Sequence, residues 1–219
     1  MLFRSDSILN DWVDFMEKNK NVCILGPREH MKTVTFERYM LWSIARNPNI
    51  RIILVSDTSA LAETILRFPR SNIEDNNRFK TIYGDLVDDR KWGMNEFIVK
   101  RPMKHDRNAT MYAIGVFGAV VGRRSDLIVL DDPVDVRKQT PGIRKKIVEW
   151  IFNELMGTLA PDGRMIFIGS RKGPNDLYSH IEKERPWIKM MVSRAIVDEQ
   201  KKSRSEEHTS ELQSRLHLV

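Results

Sequence analysis

Four apolar residues, Leu127-Ile128-Val129-Leu130, run straight into Asp131-Asp132-Pro133. A continuous apolar run of this length reads as a strand buried on both faces, which is the habit of parallel sheets flanked by helices. Such a strand delivers its terminal carboxylates to the rim of the sheet, where open α/β folds bind ligands. Read alone, the two acids also fit a simple turn with Pro133. About a hundred residues earlier a second apolar strand, ending at Leu25, leads into Gly26-Pro27-Arg28-Glu29-His30-Met31-Lys32-Thr33. This segment has the spacing of a phosphate-binding loop, in which a Gly, four variable residues and a second Gly precede Lys and Ser or Thr. Met31 stands at the second Gly position, which weakens the bare pattern and leaves a chance surface turn as the alternative.

The two segments reinforce each other. A cation for the phosphates and a carboxylate for metal and water are what Mg²⁺-dependent hydrolysis of a nucleoside triphosphate such as ATP requires. On this reading residues 26–33 bind the nucleotide. Lys32 contacts the β and γ phosphates, Thr33 and Asp131 hold Mg²⁺, and Asp132 orients or activates the attacking water. Arg28 lies on the rim of the loop, either as a catalytic contact to the γ-phosphate or as an exposed arginine. Ser170-Arg171 ends another apolar strand, Met165 to Ile168. There it is placed to sense the γ-phosphate and couple its loss to movement, or, for Ser170, to cap a turn. Arg123 and Arg124 precede the acidic strand. They are candidates for arginines acting on a neighbouring subunit's nucleotide, or plain surface charge.

The periodicity predicts a helix over Ser7 to Lys18, a strand over Asn21 to Leu25 and a helix from Lys32 to Ala45 stopped by Asn47-Pro48-Asn49. A strand over Ile50 to Val55 and a helix from Thr58 to Phe68, closed by Pro69, follow. This order argues for a parallel sheet with right-handed crossovers. Phe97-Ile98-Val99 and Met111 to Ile114 are strand candidates joined by a turn at Lys104 to Asn108. A helix from Gly142 to Leu159, a turn at Pro161-Asp162-Gly163 and a short helix from Asp176 to Glu184 complete the pattern.

Of 219 residues, 41% are hydrophobic, ample for one α/β core. No apolar run reaches the ~18 residues of a membrane span, and the first residues are too polar for a secretory signal. The single cysteine, Cys23, excludes an internal disulfide framework and reads as a core residue. A net charge of +6 favours a polyanionic partner. Arg137-Lys138 and Arg144-Lys145-Lys146 form the clearest basic cluster, a DNA contact or a solvated face. Residues Arg204 to Ser214 either form a natural polar tail or, as their resemblance to an in-frame translation of a sequencing adapter suggests, mark where the natural sequence breaks off near Lys202 or Ser203, in which case the coding region is expected to have continued. Without residues 204–219 the charge is +7, from 34 basic and 27 acidic residues.

The residues just described resemble the large terminase subunit of tailed bacteriophages, in the branch whose acidic motif ends Asp-Asp-Pro. The likeness lies in Gly26 to Thr33, in Gly115 to Pro133, of which Gly122 to Pro133 carries the branch, and in Arg164 to Leu177, where Ile168-Gly169-Ser170-Arg171, with Asp176-Leu177-Tyr178 after it, looks like the coupling segment. It runs in order over residues 8 to 195. The resemblance implies a P-loop NTPase of the additional-strand type, with a mainly parallel central sheet and helices on both faces, occupying residues 1–203. It further implies an ATP- and Mg²⁺-dependent motor that packages double-stranded DNA through a portal protein with a small terminase subunit. The motor works as a homo-oligomeric ring, a pentamer by this likeness, in the host cytoplasm and without a membrane. The trans-acting arginine of that family sometimes precedes the glycine matching Gly122, where this chain has Val121. The nuclease domain of the family is not expected in this segment. Another DNA-dependent or helicase-like ATPase, and a non-hydrolysing DNA-binding module, are the competing readings.

Overall fold

In the computed structural model, residues 7–27, 31–103, 105–134, 140–173 and 176–193 are described. Helix α1 spans Ser7–Lys18 and leads to β1, Val22–Leu25. Helix α2 is Lys32–Arg46, and β2 is Ile52–Ser56. Two helices follow, α3 Ser59–Asp75 and α4 Asn77–Tyr83. Strands β3 Val87–Trp92 and β4 Glu96–Val99 precede β5 Met111–Gly115 and β6 Ser125–Asp131. Helix α5, Pro141–Trp150, continues through a π-turn at Ile151–Leu155 and a 3₁₀ turn at Met156–Thr158. Strand β7 Leu159–Gly169, helix α6 Leu177–Glu184 and strand β8 Lys189–Val192 close the order.

Among the described residues the strands form one sheet in the order β3-β4-β5-β2-β6-β7-β1-β8. Every pairing from β5 to β8 is parallel, and only the β3-β4-β5 end is antiparallel. Strand β7 lies between β1 and β6, an additional strand between the one that ends in the glycine loop and the one that ends in the acids.

Strand residues alternate between two cores. Val22, Ile24, Ile52, Leu54, Leu127, Val129, Ile166 and Ile168 face Trp12, Phe36, Met40, Ile44, Ala62 and Leu66 of α1, α2 and α3. Their neighbours Cys23, Leu25, Ile53, Val55, Ile128, Leu130, Met165 and Phe167 face Ile147, Trp150, Leu155, Tyr178 and Ile181 of the α5 and α6 side. Helices therefore cover both faces, which is why the central strands are apolar at every position rather than at every second one.

Two expectations are corrected. Pro69 does not close the third helix. It sits inside α3, buried with Ala62, Ile65, Leu66 and Ile73 on the face that packs on β5 and β2. Burial of that stripe outweighs the hydrogen bond that proline cannot donate. Pro161-Asp162-Gly163 is no turn between elements, because β7 runs through it. The pairing with β6 jumps from Ser125↔Leu159 to Leu127↔Arg164, so the segment is absorbed as a bulge. The expected turn before Met111 is present: Asp106 Oδ1 accepts from the Asn108 backbone N–H at 2.8 Å, and Arg101 donates to the carbonyls of Asp106 and Asn108. Lys104, Arg137, Lys138 and residues 194–219, with the adapter-like tail, lie outside the described residues.

Candidate nucleotide site at the carboxyl rim of the sheet

The parallel strands β1, β2, β6 and β7 end together. The Gly26 N–H donates to the Gly169 carbonyl at 3.1 Å, and the Asp132 N–H to the Ile168 carbonyl at 2.9 Å. Ser56 Oγ donates to the Asp131 carbonyl at 3.1 Å. The first two bonds carry β1 and β6 one residue beyond their ends, and the three together fix the acids relative to Gly26.

Lys32, 9% exposed, opens α2 and turns its ammonium onto the carbonyls of Gly26, at 3.2 Å, and Pro27. Met31 before it has φ 53° and ψ 23°, the left-handed conformation for which glycine is preferred. At this one position the backbone takes the conformation that the pattern's glycine would favour. Arg28, Glu29 and His30 lie outside the described residues.

Thr33 Oγ1 donates to Asp131 Oδ2 at 3.0 Å across 98 residues of sequence. Burial pushes the Asp131 carboxyl up to about 6, and the neighbouring Asp132 charge adds to this. The Thr33 hydrogen bond and the Lys32 and Lys172 ammoniums pull the other way. A cation at this point would remove the cost of an ionised buried carboxylate. The hydroxyl and carboxylate are the hard oxygen donors that suit Mg²⁺. Among the described residues no group of three or more His, Cys, Asp or Glu could hold a metal ion. A cation here would therefore complete its shell with phosphate oxygens and water, the usual habit of Mg²⁺ in phosphoryl transfer.

Asp132 is half-buried with φ 42°, a second left-handed non-glycine residue. Its Oδ1 accepts from the Ser170 N–H at 3.2 Å and the Tyr178 hydroxyl at 3.0 Å, and lies 3.5 Å from the Lys172 ammonium. Ser170 Oγ donates to the Gly26 carbonyl at 3.0 Å, tying the end of β7 to the loop. Arg171 instead pairs with Glu182 of α6 at 2.6 Å. Arg123 is engaged inside its own chain, 3.0 Å from Glu96 Oε2 and over the Tyr112 ring. Arg124 is exposed.

Three residues near this rim escaped the sequence reading. Glu37 lies one helical turn after Thr33 on α2, a spacing that places both on one face and was available as a signal. Burial, and then the Asp131 charge, push its carboxyl up to about 7. Lys172 had no signal beyond its charge, and Tyr178 stood out only as part of a segment.

The chain is 26% identical over 155 residues to the large terminase subunit of Enterobacteria phage T3, covering 67% of this chain. It spans about a quarter of that relative's length. No protein-family profile matches it. The ATPase domain of the Thermus phage P74-26 large terminase, solved as a point mutant, superposes with a TM-score of 0.61 over 99% of this chain and 90% of that one, at 13% identity. The fold is that of a large terminase ATPase domain. The sequence likeness is thus to a large terminase subunit, and the likeness of fold is to a large terminase ATPase domain.

Proposed function

We propose that this chain is the ATP-hydrolysing motor domain that drives double-stranded DNA into a viral procapsid. The observation that carries the reading is the 3.0 Å bond between Thr33 and Asp131 beside the buried Lys32, in a chain whose sequence and fold are both similar to large terminases. The triphosphate sits at the N-terminus of α2, where free amides and the helix dipole favour anions. The Lys32 ammonium exchanges the Gly26 and Pro27 carbonyls for β- and γ-phosphate oxygens. Thr33 and Asp131 hold the Mg²⁺, whose contribution when bound is to neutralise charge on the phosphates. Asp132 accepts a proton from the attacking water as the water oxygen bonds to the γ-phosphorus. The bond to the bridging oxygen breaks and its electron pair leaves with ADP.

Ser170, bonded to the loop carbonyl, relays the loss of phosphate to β7 and α6. Arg124 is the arginine available to a neighbour's nucleotide in a ring of copies, since Arg123 is already paired. Double-stranded DNA, a portal protein and a small terminase subunit are the partners, in the host cytoplasm. Among the described residues no helix is long and apolar enough to cross a membrane.

Mg-ATP hydrolysis by the full chain and three variants tests this. Lys32→Ala loses nucleotide affinity, Asp131→Asn loses its metal dependence, and Asp132→Asn binds ATP but turns it over about 10²–10⁴-fold more slowly. Hydrolysis that survives Lys32→Ala and Asp132→Asn overturns the assignment.

A further inference from the structure

We infer that Tyr178 and Lys172 are positioning residues for Asp132, saturating its Oδ1 so that Oδ2 alone is left to meet the attacking water. The inference rests on the ATPase reading above and adds residues that the motif pattern does not assign.

Four observations carry it. First, Asp132 occupies a left-handed backbone conformation. A non-glycine residue holds such a conformation only where its surroundings over-determine it. Second, the donors converge on one oxygen. The Ser170 N–H, the Tyr178 hydroxyl and the Lys172 ammonium all address Oδ1, and no donor among the described residues reaches Oδ2. Third, space is reserved for the arrangement. A Cβ at position 169 would lie 1.6 Å from the Tyr178 hydroxyl oxygen and 2.5 Å from Asp132 Oδ1, so only glycine fits beneath the pair. Fourth, the donors are themselves anchored. Lys172 Nζ also donates to the Val134 carbonyl at 2.9 Å, and its N–H donates to Asp176 Oδ2 at 2.8 Å. Asp176 in turn caps α6 through the Ser179 N–H at 2.8 Å, which fixes Tyr178 in the first turn of that helix.

The Tyr178 hydroxyl lies 3.0 Å from both Asp132 Oδ1 and the Ile168 carbonyl, but has one proton to give. The charged oxygen is the stronger acceptor. Burial, and then the Asp132 charge, raise Tyr178 well above its ordinary value, so at neutral pH its hydroxyl keeps the proton it donates. A carboxylate pinned by one oxygen keeps its second oxygen in one place. That is the condition for an acceptor that must meet a water aligned on phosphorus.

The full chain, Tyr178→Phe and Lys172→Met are compared by Mg-ATP turnover, by Mg-ATP binding and by crystal structures. Tyr178→Phe keeps the buried ring and removes only the donor. Its kcat falls about 10- to 100-fold while KM and Kd for ATP stay within about twofold of the parent. In its crystal structure the Asp132 carboxylate leaves the parental position. Lys172→Met shows the same split to a smaller degree. Parental kcat in Tyr178→Phe, an unmoved Asp132 carboxylate, or affinity and kcat falling in parallel would each overturn the inference. The crystallographic readout needs no turnover and so decides the matter for a slow enzyme too. Lys32→Ala separates the two levels. If it hydrolyses ATP like the parent, the ATPase reading fails; if it is inactive while Tyr178→Phe runs at the parental rate, only the inference does.

Discussion

Met31 departs from the pattern's glycine, yet its own backbone takes the left-handed conformation that glycine favours, at φ 53°, with the residue 46% exposed. For an L-residue this conformation costs about 1–2 kcal/mol. The exposed side chain recovers little of that through packing. Met31→Gly should therefore raise stability by roughly 0.5–1 kcal/mol, after allowing for the greater freedom of glycine in the unfolded chain. Urea denaturation of the two proteins checks this, and a loss of stability in the glycine variant would show that Met31 makes contacts worth more than its strain. The position was legible in the sequence as an irregularity, but its conformation was not. Met31 is the residue from which α2 starts, and its backbone angle belongs to that helix entry rather than to its own side chain.

At the scale of elements, Pro69 is the instructive case. As sequence it punctuates; as structure it is one residue of a buried stripe along α3, between Leu66 and Ile73. Its missing N–H leaves the carbonyl one turn earlier without its helical partner. Pro69→Ala should restore that bond and stabilise the chain by about 1–2 kcal/mol, a gain smaller than the full ~3 kcal/mol of an exposed helix because ring contacts on the sheet are lost. Thermal unfolding measures it, and a variant that melts lower than the parent would mean the ring packs too well to lose. The other elements divide along the same line. β1, β2 and β6 were readable because unbroken apolar runs have one good solution, a strand covered on both faces. β3, Val87–Trp92, and β8, Lys189–Val192, were not, because each sits at an edge of the sheet and carries charged residues there.

At the scale of the whole molecule, the site sets a pH dependence. Asp131 and Glu37 titrate at about 6 and about 7 in the folded chain, against ordinary values of 3.8 and 4.5. Both carboxyls bind protons more tightly folded than unfolded. Their contribution to stability is complete below the unfolded values and is lost as pH rises through the folded ones. The ligand-free chain should accordingly melt at a lower temperature at pH 8 than at pH 5.5. Glu37→Gln should flatten that slope, and Mg-ATP should offset it by giving the Asp131 carboxylate a counter-charge. Melting curves at the two pH values, with and without nucleotide, test all three expectations. An equal melting temperature at both values in the parent, or the same slope in Glu37→Gln, would refute the account.

The sequence alone determined the strands of the core, the side of the sheet on which chemistry could occur and the residue types delivered there, because hydrophobic periodicity and motif spacing are local properties. It also placed Lys32, Thr33, Asp131 and Asp132 as candidates. The family likeness already implied an additional strand, but tertiary structure alone decided that Thr33 and Asp131 would meet at 3.0 Å, and that Tyr178 and Lys172 would close on one oxygen of Asp132. Those facts depend on which strand ends become neighbours. That choice is made by packing two helical layers against one sheet, and no short window of residues contains it.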